Sequence, residues 1–292
     1  MHTEKIWTSQ GLLRWTTGYF EKQEIDHPRL SAEMLLAHVL GCERLKLYMD
    51  PERPASELER AAFRDLVERA IKHEPVDYLV GEAPFFSMMF EVNKDVLVPR
   101  PSTETLVEHV IQHARVTPGF GGHVTIADVC TGSGVIAICL AKQLKDAKVI
   151  ATDVSVAAIA VAKRNAVRYA VADRIEFRVG DLLEPLVGER VKYLVSNPPY
   201  IPDDEWKKLE TNVKAHEPEL ALRGGVDGMD LLRVLVDEGR GLIESPGQIV
   251  LEMAAVHDEP MRELLHKTDG YEDVKVLPDH EGYPRILVAD KR

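Results

Sequence analysis

From residue 123 to the C-terminus, short apolar runs alternate with helical stretches, and this alternation constrains the fold more than any other feature. Residues 123–127, 148–152, 174–179, 191–195 and 248–253 read as strands, with two closing strands near 274–277 and 285–289. Residues 134–144, 156–172, 229–244 and 259–266 read as helices. Such a pattern builds an α/β domain, a mainly parallel sheet with helices on both faces. Ligands of these sheets bind beyond the carboxyl ends of the strands. That rule selects four segments as the candidate site.

The preceding sequence is different in kind. Residues 1–83 read as a helical bundle: Leu12, Trp15 and Tyr19 recur at helical spacing, the run 32–40 stops at Gly41, and Ser56 with Glu59 forms a capping-box pattern. Pro75 is expected to close the third of these helices. Residues 84–98, with Phe85, Phe86, Met88, Phe90, Val92 and Val96 to Val98, read as a β-hairpin linker. After Pro99-Arg100-Pro101 a helix over 102–114 carries His109 and His113 at i, i+4 spacing. No third ligand accompanies them, so a solvated helix face is expected there and no metal. The expected domains are thus 1–83, 84–98 as linker, and 99–292.

Composition narrows the classes. The chain has 292 residues, 45% hydrophobic and 29% charged, enough to bury a sizeable core in each of two domains. No apolar run approaches the ~20 residues of a membrane helix, and Met1 to Gln10 lack the basic and apolar regions of a signal peptide. A cytoplasmic protein, by default a monomer, is expected. Cys42, Cys130 and Cys139 are too scattered for a disulfide framework or zinc site. Against 36 basic residues stand 48 acidic ones, a formal charge of −12, whereas nucleic-acid binders rely on a basic surface.

Three of the four segments describe a nucleoside pocket. Cys130-Thr131-Gly132-Ser133-Gly134, after Asp128 and Val129, is a strand-to-helix turn whose glycines let a ligand approach the backbone. Asp153 ends the next strand, where a carboxylate can accept from both ribose hydroxyls. Asp181 and Leu182 follow the third strand and offer an acid and an apolar face to an adenine. A glycine turn that merely packs helix on strand would explain one segment, but not three together. The match of 132–137 to G-x-G-x-x-A admits a nicotinamide dinucleotide. An acid just before the loop, Asp128, repels a pyrophosphate and suits the cationic donor S-adenosyl-L-methionine.

The fourth segment, Asn197-Pro198-Pro199-Tyr200, follows an apolar strand. Asn-Pro-Pro could be a plain strand terminator, which accounts for the prolines but not for the polar Asn. A planar –NH2 nitrogen is a poor nucleophile because its lone pair is delocalised. Two acceptors on its N–H groups orient it and support positive charge as it becomes tetrahedral. The Asn197 side-chain oxygen and the Pro198 carbonyl supply that pair, and Tyr200 offers a face to a flat substrate group. Methylation of a planar amino nitrogen follows.

Asn-Pro-Pro-Tyr after a glycine loop resembles the amino-group N-methyltransferases, both DNA adenine and protein glutamine enzymes. Further motifs narrow the likeness. Residues 97–108, including Arg100, Ser102, Thr103 and Glu104, resemble the Pro-Arg-Pro-x-Thr-Glu signature of the peptide-chain release factor glutamine methyltransferases (the PrmC/HemK family). Tyr78, Gly81 and Phe86 fall where that family's pattern expects them, as do Glu217 to Leu222 with Gly224, Gly225, Asp227 and Gly228. The resemblance implies a Rossmann-like methyltransferase domain with a mainly parallel seven-stranded sheet behind a helical bundle that grips the release factor. It implies methyl transfer from S-adenosyl-L-methionine, leaving S-adenosyl-L-homocysteine, to the amide nitrogen (N5) of the glutamine in the Gly-Gly-Gln motif of class I release factors. Matched residues place Cys130, Thr131, Gly132, Ser133, Gly134, Asp153, Asp181, Leu182 and Asn197 at the donor. Asn197, Pro198, Pro199 and Tyr200 receive the glutamine, and Arg100 and Thr103 flank the donor. Ser102 stands where many relatives have an acid, and Cys130 where a glycine is frequent. The related ribosomal-protein glutamine methyltransferase, a DNA adenine enzyme and a non-catalytic donor-binding module are the alternatives.

Overall fold

Local signals start and stop the first helices. α1 (Ser9–Lys22) opens at Thr8, whose hydroxyl accepts the Gly11 N–H, and α2 (Pro28–Leu40) ends at Gly41 with φ +59°. After the short α3 (Lys46–Met49), α4 (Glu57–Ala70) begins in a complete capping box. The Glu59 N–H donates to the Ser56 hydroxyl at 3.2 Å, and the Ser56 N–H donates to the Glu59 carboxylate at 2.8 Å. This helix ends before Pro75, which instead caps α5 (Val76–Val80). Phe20, Leu35, Leu36, Phe63 and Val67 form the buried core of this unit.

The computed structural model describes residues 7–117, 120, 124–208 and 211–292. The chain divides into two units: one runs to Glu82 and includes a later segment ending at His216, and the second holds the rest. Strands β1 (Glu82–Phe85) and β2 (Met88–Glu91) make the hairpin, whereas Val96 to Val98 belong to no strand. Then follow α6 (Pro101–Val116), β3 (Thr125–Val129), α7 (Val135–Gln143), β4 (Lys148–Asp153), α8 (Val156–Arg168), β5 (Ile175–Val179) and β6 (Val191–Ser196). The short α9 (Asp203–Trp206) and α10 (Thr211–His216) precede α11 (Asp230–Gly239), β7 (Ile243–Glu252), α12 (Asp258–Lys267), β8 (Tyr271–Pro278) and β9 (Pro284–Lys291). His123, placed by the sequence at the start of β3, lies outside the described residues.

The seven strands run in the order β5-β4-β3-β6-β7-β9-β8. From β5 to β7 every neighbouring pair is parallel, and β9 is antiparallel to both its neighbours. Successive residues point to opposite faces: Ile126 and Tyr193 join one buried cluster, and Ala127 and Leu194 join the other. α11 is shorter than its sequence pattern predicts. It stops at Gly239, where a Cβ would meet Leu194 Cδ2 at 2.4 Å, and β7 begins at Ile243.

His109 and His113 are not on a solvated face. Both are half-buried on α6, with His109 Nε2 3.0 Å from Gln248 Oε1 and His113 Nδ1 2.7 Å from the Tyr193 hydroxyl. Burial holds both rings below the ordinary imidazole pKa of 6.5. Below that value the unfolded chain binds more protons than the folded one, so their contribution to stability is lost as pH falls. The double variant His109→Gln/His113→Gln is therefore expected to lose less stability than the wild type between about pH 7 and 5. Denaturant titrations at both pH values check this, and equal losses would contradict it.

Candidate active site

The register of the sheet brings the candidate segments to one edge. Val129 pairs with Thr152 on one side and Ser196 on the other, and Ser196 pairs with Leu251. The next residues of these four strands, Cys130, Asp153, Asn197 and Glu252, therefore stand level at one end of the sheet, Asp153 and Glu252 as the last residues of β4 and β7. Asp153 pairs with Val179, which sets Gly180-Asp181-Leu182 beside it. A cavity of about 330 Å³ opens here, lined by Cys130 to Ser133, Asp153, Asp181, Leu182, Asn197 and Pro199. Its size lies within the roughly 300–1,000 Å³ usual for small-molecule sites.

The glycine loop is held from below. Asp128 does not line the cavity: it is fully buried on β3, and its Oδ2 accepts from the Thr131 hydroxyl at 2.6 Å and the Ala137 N–H at 3.1 Å. Burial pushes this carboxyl up to about 7 although both bonds oppose the shift. Asn165, also fully buried, donates through Nδ2 to the Ser133 carbonyl at 2.9 Å and to the Glu91 carbonyl at 3.0 Å, anchoring the loop to the hairpin. Cys130 sits at φ +60°, and burial drives its thiol pKa upward, which favours the protonated sulfur. Gly132 has φ +56°, and no atom lies within 4 Å of where a Cβ would be, so its backbone is open to a ligand.

Gly134 is required for a different reason. Its φ is +83°, and an added Cβ would lie 3.0 Å from Ala162 Cβ on α8. Gly134→Ala is expected to cost about 2–4 kcal/mol from left-handed backbone and overpacking together. The corresponding drop in Tm of the second unit is roughly 5–10 °C. An unchanged thermal midpoint by calorimetry would show that α7 and α8 shift apart without cost.

Asp153 faces the cavity with both oxygens already oriented. Oδ2 accepts the Gly132 N–H and Oδ1 the Ser155 N–H, each at 2.9 Å, which leaves a lone pair on each oxygen for a ligand. Burial raises its pKa, and the two backbone donors oppose the rise.

Asn197 belongs to a chain of polar groups in which Glu252 is the member that no sequence motif marks. Its Nδ2 donates to Thr103 Oγ1 at 3.1 Å, and the Thr103 hydroxyl donates to Glu252 Oε2 at 2.6 Å. The Ser102 hydroxyl donates to Glu252 Oε1 at 2.8 Å, and the Tyr200 hydroxyl donates to the same oxygen at 3.4 Å. Ser102, the departure from the family signature, is thus a partner of a buried carboxylate. Tyr200 turns its hydroxyl inward and packs on the core beneath the sheet, and neither it nor the buried Pro198 lines the cavity.

A second loop closes over this edge. Arg100 pairs with Glu217 at 2.6 Å, and the Ile201 N–H donates to the Leu222 carbonyl at 2.8 Å. A Cβ on Gly224 would lie 2.7 Å from Tyr200 Cα, and one on Gly228 would lie 2.3 Å from the Tyr200 carbonyl oxygen. The glycines at 224 and 228 are there because this loop packs backbone to backbone against Asn-Pro-Pro-Tyr. Pro99, Arg100, Thr103, Leu220 and Arg223 line the cavity as well.

Comparison with known proteins agrees with this layout. Residues 101–216 match the methyltransferase small domain. The structure of a methyltransferase from Pyrococcus furiosus superposes with a TM-score of 0.53 at 19% identity, covering 71% of this chain and 90% of that one. Fold and site define a Rossmann-like methyltransferase. Residues 11–81 match the PrmC N-terminal domain. The release factor glutamine methyltransferase of Chlorobaculum tepidum is 40% identical over 98% of both chains, and that of Rhodopirellula baltica is 36% identical over 98% of this chain and 97% of its own. The chain belongs to the release factor glutamine methyltransferase family.

Proposed function

We propose that this protein transfers a methyl group from S-adenosyl-L-methionine to the side-chain amide nitrogen, N5, of the glutamine in the Gly-Gly-Gln motif of class I release factors. When bound, the donor supplies an electrophilic methyl carbon on a cationic sulfur. Cys130 to Gly134, Asp153, Asp181 and Leu182 form its cradle, with Asp153 toward the ribose hydroxyls and the open Gly132 backbone beside the ligand. The observation that carries the reading is the orientation of Asn197. With Nδ2 committed to Thr103, its Oδ1 is left for an incoming N–H at the rim of the cavity.

Asn197 Oδ1 and the Pro198 carbonyl accept the two N–H groups of the glutamine amide. Both acceptors favour a tetrahedral, positively charged nitrogen over the planar amide, so they bind the transition state better than the substrate. No strong base is needed before transfer, because the nitrogen becomes acidic once it is cationic. Pro199, which lines the cavity, completes the acceptor side, and Tyr200 braces the turn from within through its hydroxyl on Glu252.

The helical unit, about residues 1–83, grips the release factor, with 84–98 as the linker before the catalytic domain. Support comes from a groove of about 410 Å³ in that unit, lined by Trp7, Trp15, Tyr19 and Phe63 with Arg60, Arg64 and Glu68. Trp15 is 53% exposed and stacks on Tyr19, a pattern typical of interface anchors. The protein acts as a cytoplasmic monomer on a protein substrate. Among the described residues no helix is long and apolar enough to cross a membrane.

Incubation with isotopically labelled donor and purified release factor, followed by peptide mass mapping, tests the reading. One methyl group on the Gly-Gly-Gln glutamine is expected. Label appearing in duplex DNA or ribosomal protein, and not in the release factor, would overturn it.

A further inference from the structure

We infer that Glu252 is a positioning residue that holds the Asn197 amide in its reactive orientation through the hydroxyl of Thr103. The inference rests on the reading of Asn197 Oδ1 as an acceptor for the substrate amide. Glu252 itself touches neither cavity nor substrate: it is fully buried at the end of β7, one strand away from Asn197.

A hydroxyl has a single proton to donate, and an ionised carboxylate only accepts. The 2.6 Å contact assigns the Thr103 proton to Glu252, so Thr103 Oγ1 turns a lone pair toward Asn197. Only the Nδ2 end of the amide can meet that lone pair favourably. Rotation of the amide by half a turn would set Oδ1 against Oγ1, two acceptors with no proton between them. The carboxylate thereby selects one of two amide orientations that are nearly equal in shape, and the selected one directs Oδ1 away from Thr103.

Protonation of Glu252 removes the selection. The Thr103 hydroxyl is then free to donate to Asn197, and the flipped amide, with Oδ1 turned away from substrate, becomes accessible. Several groups bear on that proton. Ser102 and Thr103 from α6 and Tyr200 after β6 donate to the carboxylate, and the Arg285 charge from β9 favours its ionised form. Burial acts against all of them and raises the pKa. An acid limb in kcat follows, with turnover falling as pH drops through that raised value.

The test uses the full-length protein with release factor and S-adenosyl-L-methionine. Glu252→Ala is expected to lower kcat about 10–100-fold while KM for the release factor stays within about threefold, because orientation and not binding is lost. Glu252→Gln is the neutral counterpart of the protonated acid, so its kcat should stay near the low-pH level of the wild type at every pH and lack the acid limb. Thr103→Val keeps shape and removes the connecting hydroxyl, so it covers the case in which Glu252→Ala does not fold. It should cost about as much as Glu252→Ala, and the double variant should be little worse than either single one. Wild-type kcat in Thr103→Val, strictly additive losses, or an unchanged acid limb in Glu252→Gln would each overturn the inference. A wild-type protein that does not methylate the release factor would overturn the functional reading and this inference with it. Wild-type activity with silent variants would overturn this inference alone.

Discussion

Replacing Asn197 by alanine is expected to lower kcat for methyl transfer by about 10²–10³-fold, the usual effect of removing one preorganised hydrogen-bonding group from a reacting centre. The side chain lies at the cavity rim, and its amide is already fixed by Thr103. Alanine leaves the glutamine nitrogen with one acceptor, so its lone pair stays conjugated and positive charge develops without support. Release-factor binding should change little, since the helical unit is read as the docking element. Single-turnover methylation at saturating donor measures the effect, and binding of the release factor in a pull-down or by calorimetry is the control. Full-speed turnover in Asn197→Ala would remove the basis of the proposed chemistry.

The second large effect is on the donor. Asp153→Ala removes the carboxylate that faces the cavity, and it also strips the Gly132 and Ser155 N–H groups of their acceptor. Charge-assisted hydrogen bonds of this kind contribute about 1.5–3 kcal/mol. That corresponds to roughly 10–150-fold weaker donor binding. Asp181→Ala is the comparison, because Asp181 lines the same cavity from an exposed loop and should cost less. Calorimetric titration with S-adenosyl-L-methionine separates the two. Unchanged affinity in Asp153→Ala would place the donor elsewhere.

Much of this site is legible in the chain itself, and the exceptions share a physical cause. Local signals transfer well: the capping box at Ser56, the left-handed stop at Gly41 and the glycines of the first loop are all met as the residues suggest. Asp128 illustrates the opposite case. In sequence it is an acid ahead of a glycine loop and suits a cationic ligand; in the fold its side chain is buried and braces Thr131 and Ala137. Strand periodicity says that neighbours face opposite ways, but which face meets the ligand depends on where the helices pack. The same holds for His109 and His113, whose spacing on α6 reveals nothing of the sheet against which they lie. Tyr200 likewise reads as a rim aromatic, whereas its hydroxyl turns to Glu252.

The amino-acid sequence by itself determined the alternation of strands and helices, the helical front, the loop that can cradle a nucleoside and the Asn-Pro-Pro-Tyr turn. These are encoded in runs of a few residues, where backbone preference and hydrophobic period act over short range. Only the tertiary structure decided that Ser102 and Thr103 meet on Glu252 while Asn197 meets Thr103, and that Gly224 and Gly228 admit the backbone of Tyr200. Those contacts join residues some 25 to 150 positions apart. They exist because sheet register brings distant strand ends level, a relation that no local pattern carries.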